Sequence, residues 1–370
     1  MLGPGRLLPE RLHTLRLRIA AWRVSALLLT NPNDIRYLTG FAGDDSWALI
    51  LRRPGRSHIL SDSRFEEEIG RCAPQAVAHI RKGALAEELK KVTRRLRVRR
   101  LALQSDYLTV AQRRKIAGVL GARHLVDVED GLIQQRAVKT AAEIALIRKA
   151  LHIQEQAYER TLAWLKPGQT ESQIAAYLEY QMRMLGADGP SFPTIVAADA
   201  NASLPHAVPG PRKLRRGGSL LIDWGARYRG YCSDLTRVIA LGRMPPRIGE
   251  IYRIVLEAQL AGIAAIAPGR DLVEVDAAAR GVIKKAGLGR RFGHGLGHGI
   301  GLDIHEQPTL SPKSKGVLEP GQVVTVEPGI YLPGVGGVRI EDDVLVTSTG
   351  HQVLSRLPKD LDSVVLQVRA

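Results

Sequence analysis

Apolar residues recur along the first third of the chain with two alternating periods. Leu8, Leu12, Leu15, Ile19 and Trp22 fall at helical spacing, so residues 8–23 predict an amphipathic helix. Ala26 to Leu29 follows as an unbroken apolar run of strand length, and Asn31-Pro32-Asn33-Asp34 reads as a turn or helix start. Trp47 to Leu51 and Ser57 to Leu60, joined across Arg52-Arg53-Pro54-Gly55, predict two more strands. Helices are expected at Arg64 to Ile69 and Leu85 to Arg95, and short strands near Leu101 and Leu125. Such alternation is that of an α/β layer.

Around Gln134 to Thr140 the pattern changes. Ala142 to Leu162 is one long run of good helix formers, and after Pro167-Gly168 a second helix is expected from Glu171 to Leu185. Beyond Gly186, glycine and proline separate short β-branched runs, the signature of hairpins, with helices expected at Arg247 to Ala267 and Leu272 to Ala286. The chain therefore divides into an α/β N-terminal domain over residues 1–137 and an α+β C-terminal domain over residues 138–370. Two domains also suit 370 residues, because single hydrophobic cores stop growing at about 250–300 residues.

Composition places the chain among ordinary globular proteins, with 45% hydrophobic and 24% charged residues. Its two cysteines, Cys72 and Cys232, lie far apart and outside any C-x-x-C arrangement. They offer neither a disulfide framework nor a thiolate metal site, and they fit a reducing cytoplasm. Arginines interrupt the N-terminal leucines, which leaves no apolar core for a signal peptide, and no stretch approaches the roughly 20 apolar residues of a membrane span. The net charge of +16 raises the question of a nucleic-acid or membrane partner, and +11 of it resides in residues 1–137. The densest basic run is Lys90, Lys91, Arg94, Arg95, Arg97, Arg99 and Arg100. It has no interleaved aromatics to stack on bases, and reads as a solvated helix face followed by an edge strand.

Candidate chemistry lies in the second domain. Ser219 to Ala240 reads as two strands joined near Tyr228 to Gly230, a midpoint that sets Asp223 opposite Asp234. Opposed residues in such a pair have Cβ atoms about 5 Å apart. Two bare carboxylates at that distance repel, and one stays protonated unless a cation lies between them. Gln322 to Glu341 repeats the arrangement, with Glu327 and Glu341 symmetric about Gly334. Four carboxylates on two hairpins suit hard or borderline divalent metals, and a pair of ions about 3.5–4 Å apart is the usual hydrolytic clamp.

Between these hairpins, glycine at 293, 295, 297, 299 and 301 makes a helix costly, so His294 and His298 are expected on one face of an extended segment. One of these histidines can complete a metal's shell, leaving the others, including His305, for proton transfer or for polarising a carbonyl. The missing side chains are expected to admit a substrate backbone. His206 sits between prolines in Leu204-Pro-His-Ala-Val-Pro209, a position with little meaning by itself.

Taken together, these motifs resemble those of the pita-bread metallopeptidases, the family containing methionine aminopeptidase, aminopeptidase P and prolidase. Ala26 to Gly43 and Leu60 to Phe65 are similar to the creatinase-type N-terminal domain of the proline-directed members, which methionine aminopeptidases lack. The resemblance implies five metal ligands at Asp223, Asp234, His298, Glu327 and Glu341, with Asp234 and Glu341 bridging two divalent ions, Mn²⁺ above all, with Co²⁺ and Zn²⁺ as alternatives. The family's outer histidines fall on His206, His294 and His305, and its arginine on Arg339.

By the same resemblance, Glu327 accepts the proton of the attacking water and His305 stabilises the oxyanion. His206 and His294 hold the peptide, and Arg339 orients them or pairs with a bridging carboxylate. The activity implied is hydrolysis of the bond before proline in short peptides by a cytoplasmic homodimer. An Xaa-Pro aminopeptidase is the first reading and an Xaa-Pro dipeptidase the second. A creatinase-like hydrolase without metal and a non-enzymatic binding module on the same fold stand further off.

Overall fold

The N-terminal apolar runs assemble into one six-stranded mixed sheet. The computed structural model describes residues 8–367, so the start of the segment read for a signal peptide, residues 1–7, lies outside the described residues. Helix α1 (Leu8–Ala21) buries Leu8, Leu15 and Ile19, and β1 (Ala26–Leu29) is buried throughout. Asn31 caps α2 (Pro32–Thr39) by accepting the Asn33 N–H at 2.9 Å, and Gly40 ends it with a left-handed φ of 87°.

Antiparallel strands β2 (Trp47–Leu51) and β3 (His58–Ser61) follow. Then come α3 (Glu66–Cys72), β4 (Val77–Ile80), α4 (Leu85–Arg95), β5 (Leu101–Gln104), α5 (Val110–Leu120) and β6 (Leu125–Val128). The strand order is β4-β3-β2-β1-β5-β6. Pairs β3–β4 and β5–β6 are parallel, each joined through an intervening helix, as parallel pairing requires. Leu28, Leu49, Leu60 and Leu103 of the sheet pack with Leu89 and Val92 of α4 and Ile116 of α5. Each fully buried aliphatic side chain contributes about 1.5–3 kcal/mol.

Several elements differ from expectation. The helix expected at Arg64 to Ile69 begins as a 3₁₀ turn, Ser63–Phe65, capped by the Asp62 side chain, before α3 continues to Cys72. Strand β4 and helix α5 have no counterpart in the sequence reading, because α5 buries only Ile116 and so presents no apolar stripe. Its capping box, Thr109 with Gln112, was the available signal. The strand after the basic run, β5, lies between β1 and β6 and is not an edge strand. Its side chains are buried, which the apolar run Leu101-Ala-Leu itself required.

A buried histidine pair tightens the β3–β4 side of this sheet. Arg95 Nη2 donates to His79 Nδ1 at 3.0 Å, so His79 carries its proton on Nε2 and gives it to His58 Nδ1, also at 3.0 Å. Burial, followed by the charges of His79, Arg95, Arg53 and Arg56, lowers His58 to about 4, well under its ordinary 6.5. The unfolded chain takes up this proton near 6.5 and the folded chain resists it, so the pair's contribution is complete above 6.5 and declines as pH falls toward about 4. The melting temperature is therefore expected to fall more steeply over that interval in the wild type than in a His58→Leu/His79→Leu variant. Parallel melting curves would contradict this reading.

The chain divides into two compact units, residues 1–135 and 136–370, with the short helix α6 (Ile133–Ala137) at the boundary. The second unit opens with α7 (Ala141–Trp164) and α8 (Glu171–Met184), started by the capping boxes Thr140/Glu143 and Thr170/Gln173. Strands β7 (Gly189–Pro190), β8 (Ile195–Ala198), β9 (Ser219–Trp224), β10 (Ala226–Tyr228), β11 (Tyr231–Cys232) and β12 (Leu235–Leu241) come next. A second helix pair follows, α9 (Pro246–Ala264) and α10 (Leu272–Lys285).

After this pair lie β13 (Gly297–Gly299), β14 (Glu306–Leu310), β15 (Val323–Val326), β16 (Gly329–Leu332), β17 (Gly336–Arg339), β18 (Asp342–Val346), β19 (His351–Val353) and β20 (Val365–Leu366). Two sheets dominate, β20-β12-β9-β8 and β14-β13-β15-β18-β19, with small ribbons β11-β10-β7 and β16-β17 beside them. Trp224, at the end of β9, stacks on Tyr158 of α7 with ring centroids 4.5 Å apart and donates its indole N–H to Gln154 O at 3.2 Å. That anchor fixes the strand end next to Asp223. Among the described residues no helix is long and apolar enough to cross a membrane.

Candidate metal centre and its histidine shell

Strand register decides which acids meet. Strand β9 pairs with β12 so that Asp223 faces Thr236, and the β10–β11 ribbon keeps the same register through a two-residue turn at Arg229-Gly230, where φ is 47° and 82°. Asp234 is thus two residues from Asp223's true partner, a diagonal neighbour rather than the directly opposed residue expected. The reason is the turn, which pairs Tyr228 with Tyr231 and so centres the hairpin one residue later than the sequence midpoint. The second hairpin has the expected register. Val326 faces Asp342 and Gly329 faces Arg339, which sets Glu327 across from Glu341 at the junction of two sheets.

All four acids, with His206, His294, His298, His305 and Arg339, line one cavity of about 670 Å³. Ligand atoms of Asp234, His298 and Glu341 lie within 4.8 Å of one another. His298 Nε2 is 3.7 Å from Asp234 Oδ2 and 3.3 Å from Glu327 Oε1. Its other nitrogen, Nδ1, is 3.1 Å from Gly299 O, which pins a proton there and turns Nε2 toward the acids.

The cluster strains against its own charge. Burial, then the charges of Glu341 and Asp223, push Asp234 well above the usual carboxylate range, and burial with Glu327 does the same to Glu341. Glu327 goes the other way. Burial would raise it, but with no cation bound a protonated His298 donates to it from Nε2, and that charge brings Glu327 to about 2. A bound cation would displace that proton and take the Nε2 lone pair. Asp223 Oδ1, Asp234 Oδ1 and Glu341 Oε1 are buried without a hydrogen-bond partner. Orphaned buried oxygens of this kind are costly unless a cation takes them. The donor set, four carboxylates and one imidazole presented as a base, fits divalent metal ions.

Polar groups behind the acids hold them in place. Thr236, opposite Asp223, donates to Glu341 Oε2 at 2.6 Å and accepts from Arg339 Nε at 3.0 Å. Arg339 is 3% exposed and pairs through Nη2 with Asp223. It does not pair with Asp234 or Glu341. Arg339 Nη1 also donates to the Tyr331 hydroxyl at 2.7 Å, which is 3.0 Å from His294 Nε2, while His294 Nδ1 is 2.8 Å from Gly295 O. Both nitrogens of His294 are thereby engaged in the wall, leaving neither for a peptide in this arrangement. Burial and Arg339 keep that ring below its usual pKa, against the opposing charge of Glu327. His206 and His305 are exposed at the cavity and among the described residues form no hydrogen bond through their rings, with His305 edge-on to His298 at 4.4 Å between centroids.

The glycines serve packing. A Cβ at Gly297 would lie 2.0 Å from Thr325 O, one at Gly299 2.3 Å from Gln307 O, and one at Gly295 2.8 Å from Leu310 O. They let β13 press between β14 and β15, while Gly295 and Gly297 also line the cavity. Gly293, with open space around it, stands apart from that pattern.

The same constellation is found in known proteins. The profile of Metallopeptidase family M24 matches residues 145–348, and that of the Creatinase/Prolidase N-terminal domain matches residues 11–138. This chain belongs to metallopeptidase family M24. It is a peptidase of the pita-bread, Xaa-Pro branch. The uncharacterized peptidase YqhT of Bacillus subtilis (strain 168) is 36% identical over 95% of this chain and 99% of its own length. The solved structure of an Xaa-Pro dipeptidase from Bacillus anthracis is similar with a TM-score of 0.92 and 38% identity, covering 97% of this chain and 100% of that one. An X-Pro aminopeptidase from Thermotoga maritima MSB8 gives 0.87 and 35%, covering 95% and 100%.

Several residues that shape this M24 site escaped the sequence reading. Tyr331, Thr236 and Thr325, which donates to Glu327 at 3.2 Å, have no motif that marks them. Glu306, beside His305, is buried against Arg136 and against Lys139 at 3.1 Å, and it accepts the Asp303 N–H at 3.1 Å. The two cations outweigh burial and lower its pKa. Register offered one signal, since the partner of Asp223 at Thr236 follows from the turn position.

Two outcomes check this description. Gly297→Ala is expected to cost about 1–3 kcal/mol in urea unfolding, because β13 has no room for a methyl group. Asp234→Asn should raise the melting temperature of the metal-stripped peptidase by relieving repulsion, yet abolish the gain from added metal. In the wild type that gain reaches about 4 kcal/mol at a thousandfold excess over Kd.

Proposed function

We propose that this M24 peptidase hydrolyses the bond preceding proline in short peptides, as an Xaa-Pro aminopeptidase. The observation that carries the reading is the convergence of Asp223, Asp234, His298, Glu327 and Glu341 in one cavity beside His206 and His305. The match to the Creatinase/Prolidase N-terminal domain and the proline-directed names of the similar structures support the substrate class. Proline's tertiary amide has no N–H and its ring fixes φ, so an extended, strand-like mode of peptide binding fails before it and a dedicated site is useful.

Two divalent cations, Mn²⁺ in our reading, held by Asp223, Asp234, His298, Glu327 and Glu341, would supply the charge that lowers the pKa of a water by many units. The chain's own groups do the rest. Glu327 takes the water's proton and passes it to the departing nitrogen. His305, whose pKa is lowered by partial desolvation and by His298, donates a hydrogen bond to the developing oxyanion. His206 steadies the peptide at the rim, while His294, Tyr331 and Arg339 act as a brace that keeps Asp223 oriented. Free Cys72 and Cys232 agree with a reducing, cytoplasmic setting, where we expect a homodimer.

A dipeptidase is the second reading, favoured by the Bacillus anthracis similarity. Cavity chemistry favours the first. Among the described residues that line the cavity, Arg339 alone is Lys or Arg, and it is committed to Asp223, so none of them offers a free Lys or Arg to the carboxylate of proline in a dipeptide. Xaa-Pro-Yaa tripeptides are therefore expected to be cleaved with higher kcat/KM than Xaa-Pro dipeptides. Chelation should abolish turnover and Mn²⁺ restore it. Asp234→Ala should retain less than about a hundredth of the activity with the fold intact. Turnover surviving chelation, or a preference for dipeptides, would overturn the respective part of this reading.

A further inference from the structure

Glu171 opens α8 and does not line the cavity, yet it is one of the most deeply buried acids of the chain, 1% exposed. Its Oε1 accepts the Ala198 N–H at 2.7 Å and Asn201 Nδ2 at 2.9 Å. Oε2 accepts the Gly210 N–H at 2.9 Å and the same Asn201 amide at 3.2 Å. Ala198 ends β8, and Gly210 follows the run Leu204-Pro-His-Ala-Val-Pro209. One carboxylate therefore ties together both ends of the loop that carries His206.

The adjoining backbone extends the tie. Glu171 N–H donates to Arg212 O at 3.0 Å, Ser172 N–H to Gly210 O at 3.1 Å, and the Ser172 hydroxyl to Pro209 O at 2.9 Å. Burial of the loop's large apolar side chains contributes little, because Leu204 and Val208 are 59% and 86% exposed; Ala202 and Ala207 are buried, and Arg339 Nη1 donates to Pro205 O at 3.4 Å. Among the described residues the His206 ring has no hydrogen-bond partner, so its position follows from the loop backbone. Pro205 and Pro209 flank it, and their fixed φ angles let the anchored ends constrain the short segment between them. An anionic group at the first turn of α8 is also favoured by the helix dipole.

We propose that Glu171 is a positioning residue for the reaction: it pins both feet of the 198–210 loop and so sets His206 at the cavity. This rests on the substrate-contacting role given to His206 above. Glu171→Gln keeps the shape but turns an N–H donor toward Ala198 or Gly210, and Glu171→Ala removes the tie.

The test uses the full-length, metal-loaded peptidase, with metal content measured for every variant. Hydrogen exchange of residues 198–212 should accelerate at least tenfold in Glu171→Gln while exchange elsewhere and metal content stay unchanged. With an Xaa-Pro-Yaa substrate, kcat/KM should fall ten- to a hundredfold, chiefly through KM. In a His206→Ala background the same change should cost less than twofold. Unchanged loop exchange, a penalty that adds in full to that of His206→Ala, or a His206→Ala variant as active as the wild type would each overturn the proposal. Should Glu171→Ala fail to fold, Glu171→Gln and Asn201→Ala carry the same measurements. A parent protein that cleaves no proline peptide refutes the proposed activity, whereas loop exchange still decides whether Glu171 is the pin.

Discussion

Mutual repulsion among buried carboxylates is the constraint around which the second unit is built. Asp223, Asp234, Glu327 and Glu341 are drawn into one cavity by two hairpins, and three of them leave an oxygen without any hydrogen-bond partner. Sheets that impose such a cluster spend folding free energy on it, since desolvated like charges favour neither burial nor ionisation. The arrangement is sensible only with positive charge at its centre. Divalent metal, which the M24 family implies, is that charge.

The rest of the site manages the remaining imbalance. Arg339 offsets Asp223 and is itself steadied by Tyr331 and Thr236, and His298 is held in the tautomer that offers a lone pair. None of these contacts is strong enough to create the geometry alone. Their placement follows from backbone packing, and at β13 glycines let three strands approach to distances that exclude any side chain. Outside the cavity, Glu306 with Arg136 and Lys139, and Glu171 with its loop, fix the segments on which His305 and His206 ride.

Most of the element pattern was legible because strong periodicity survives in single sequences. Strands β1 and β2 and helix α4 lie where their apolar positions place them, whereas α5 and β4 were missed because one element buries a single residue and the other alternates only weakly. The Glu327–Glu341 pairing could be read from symmetry about Gly334. The Asp223–Asp234 pairing expected from the midpoint is off by two positions, Asp223 facing Thr236, since a hairpin's register is set by the two residues of its turn and not by the midpoint between the acids.

By itself, then, the amino-acid sequence determined the residue types available for chemistry, the alternation of helix and strand, and through its motifs the likeness to a metallopeptidase family. Those are local properties, carried by spacing and composition. Tertiary structure alone decided that Thr236 faces Asp223, that His294 spends both nitrogens on the wall, that Tyr331 joins it to Arg339, and that Glu171 ties down a loop beginning 27 residues along the chain. These facts depend on register and on contacts between residues remote in sequence, which no short-range pattern encodes.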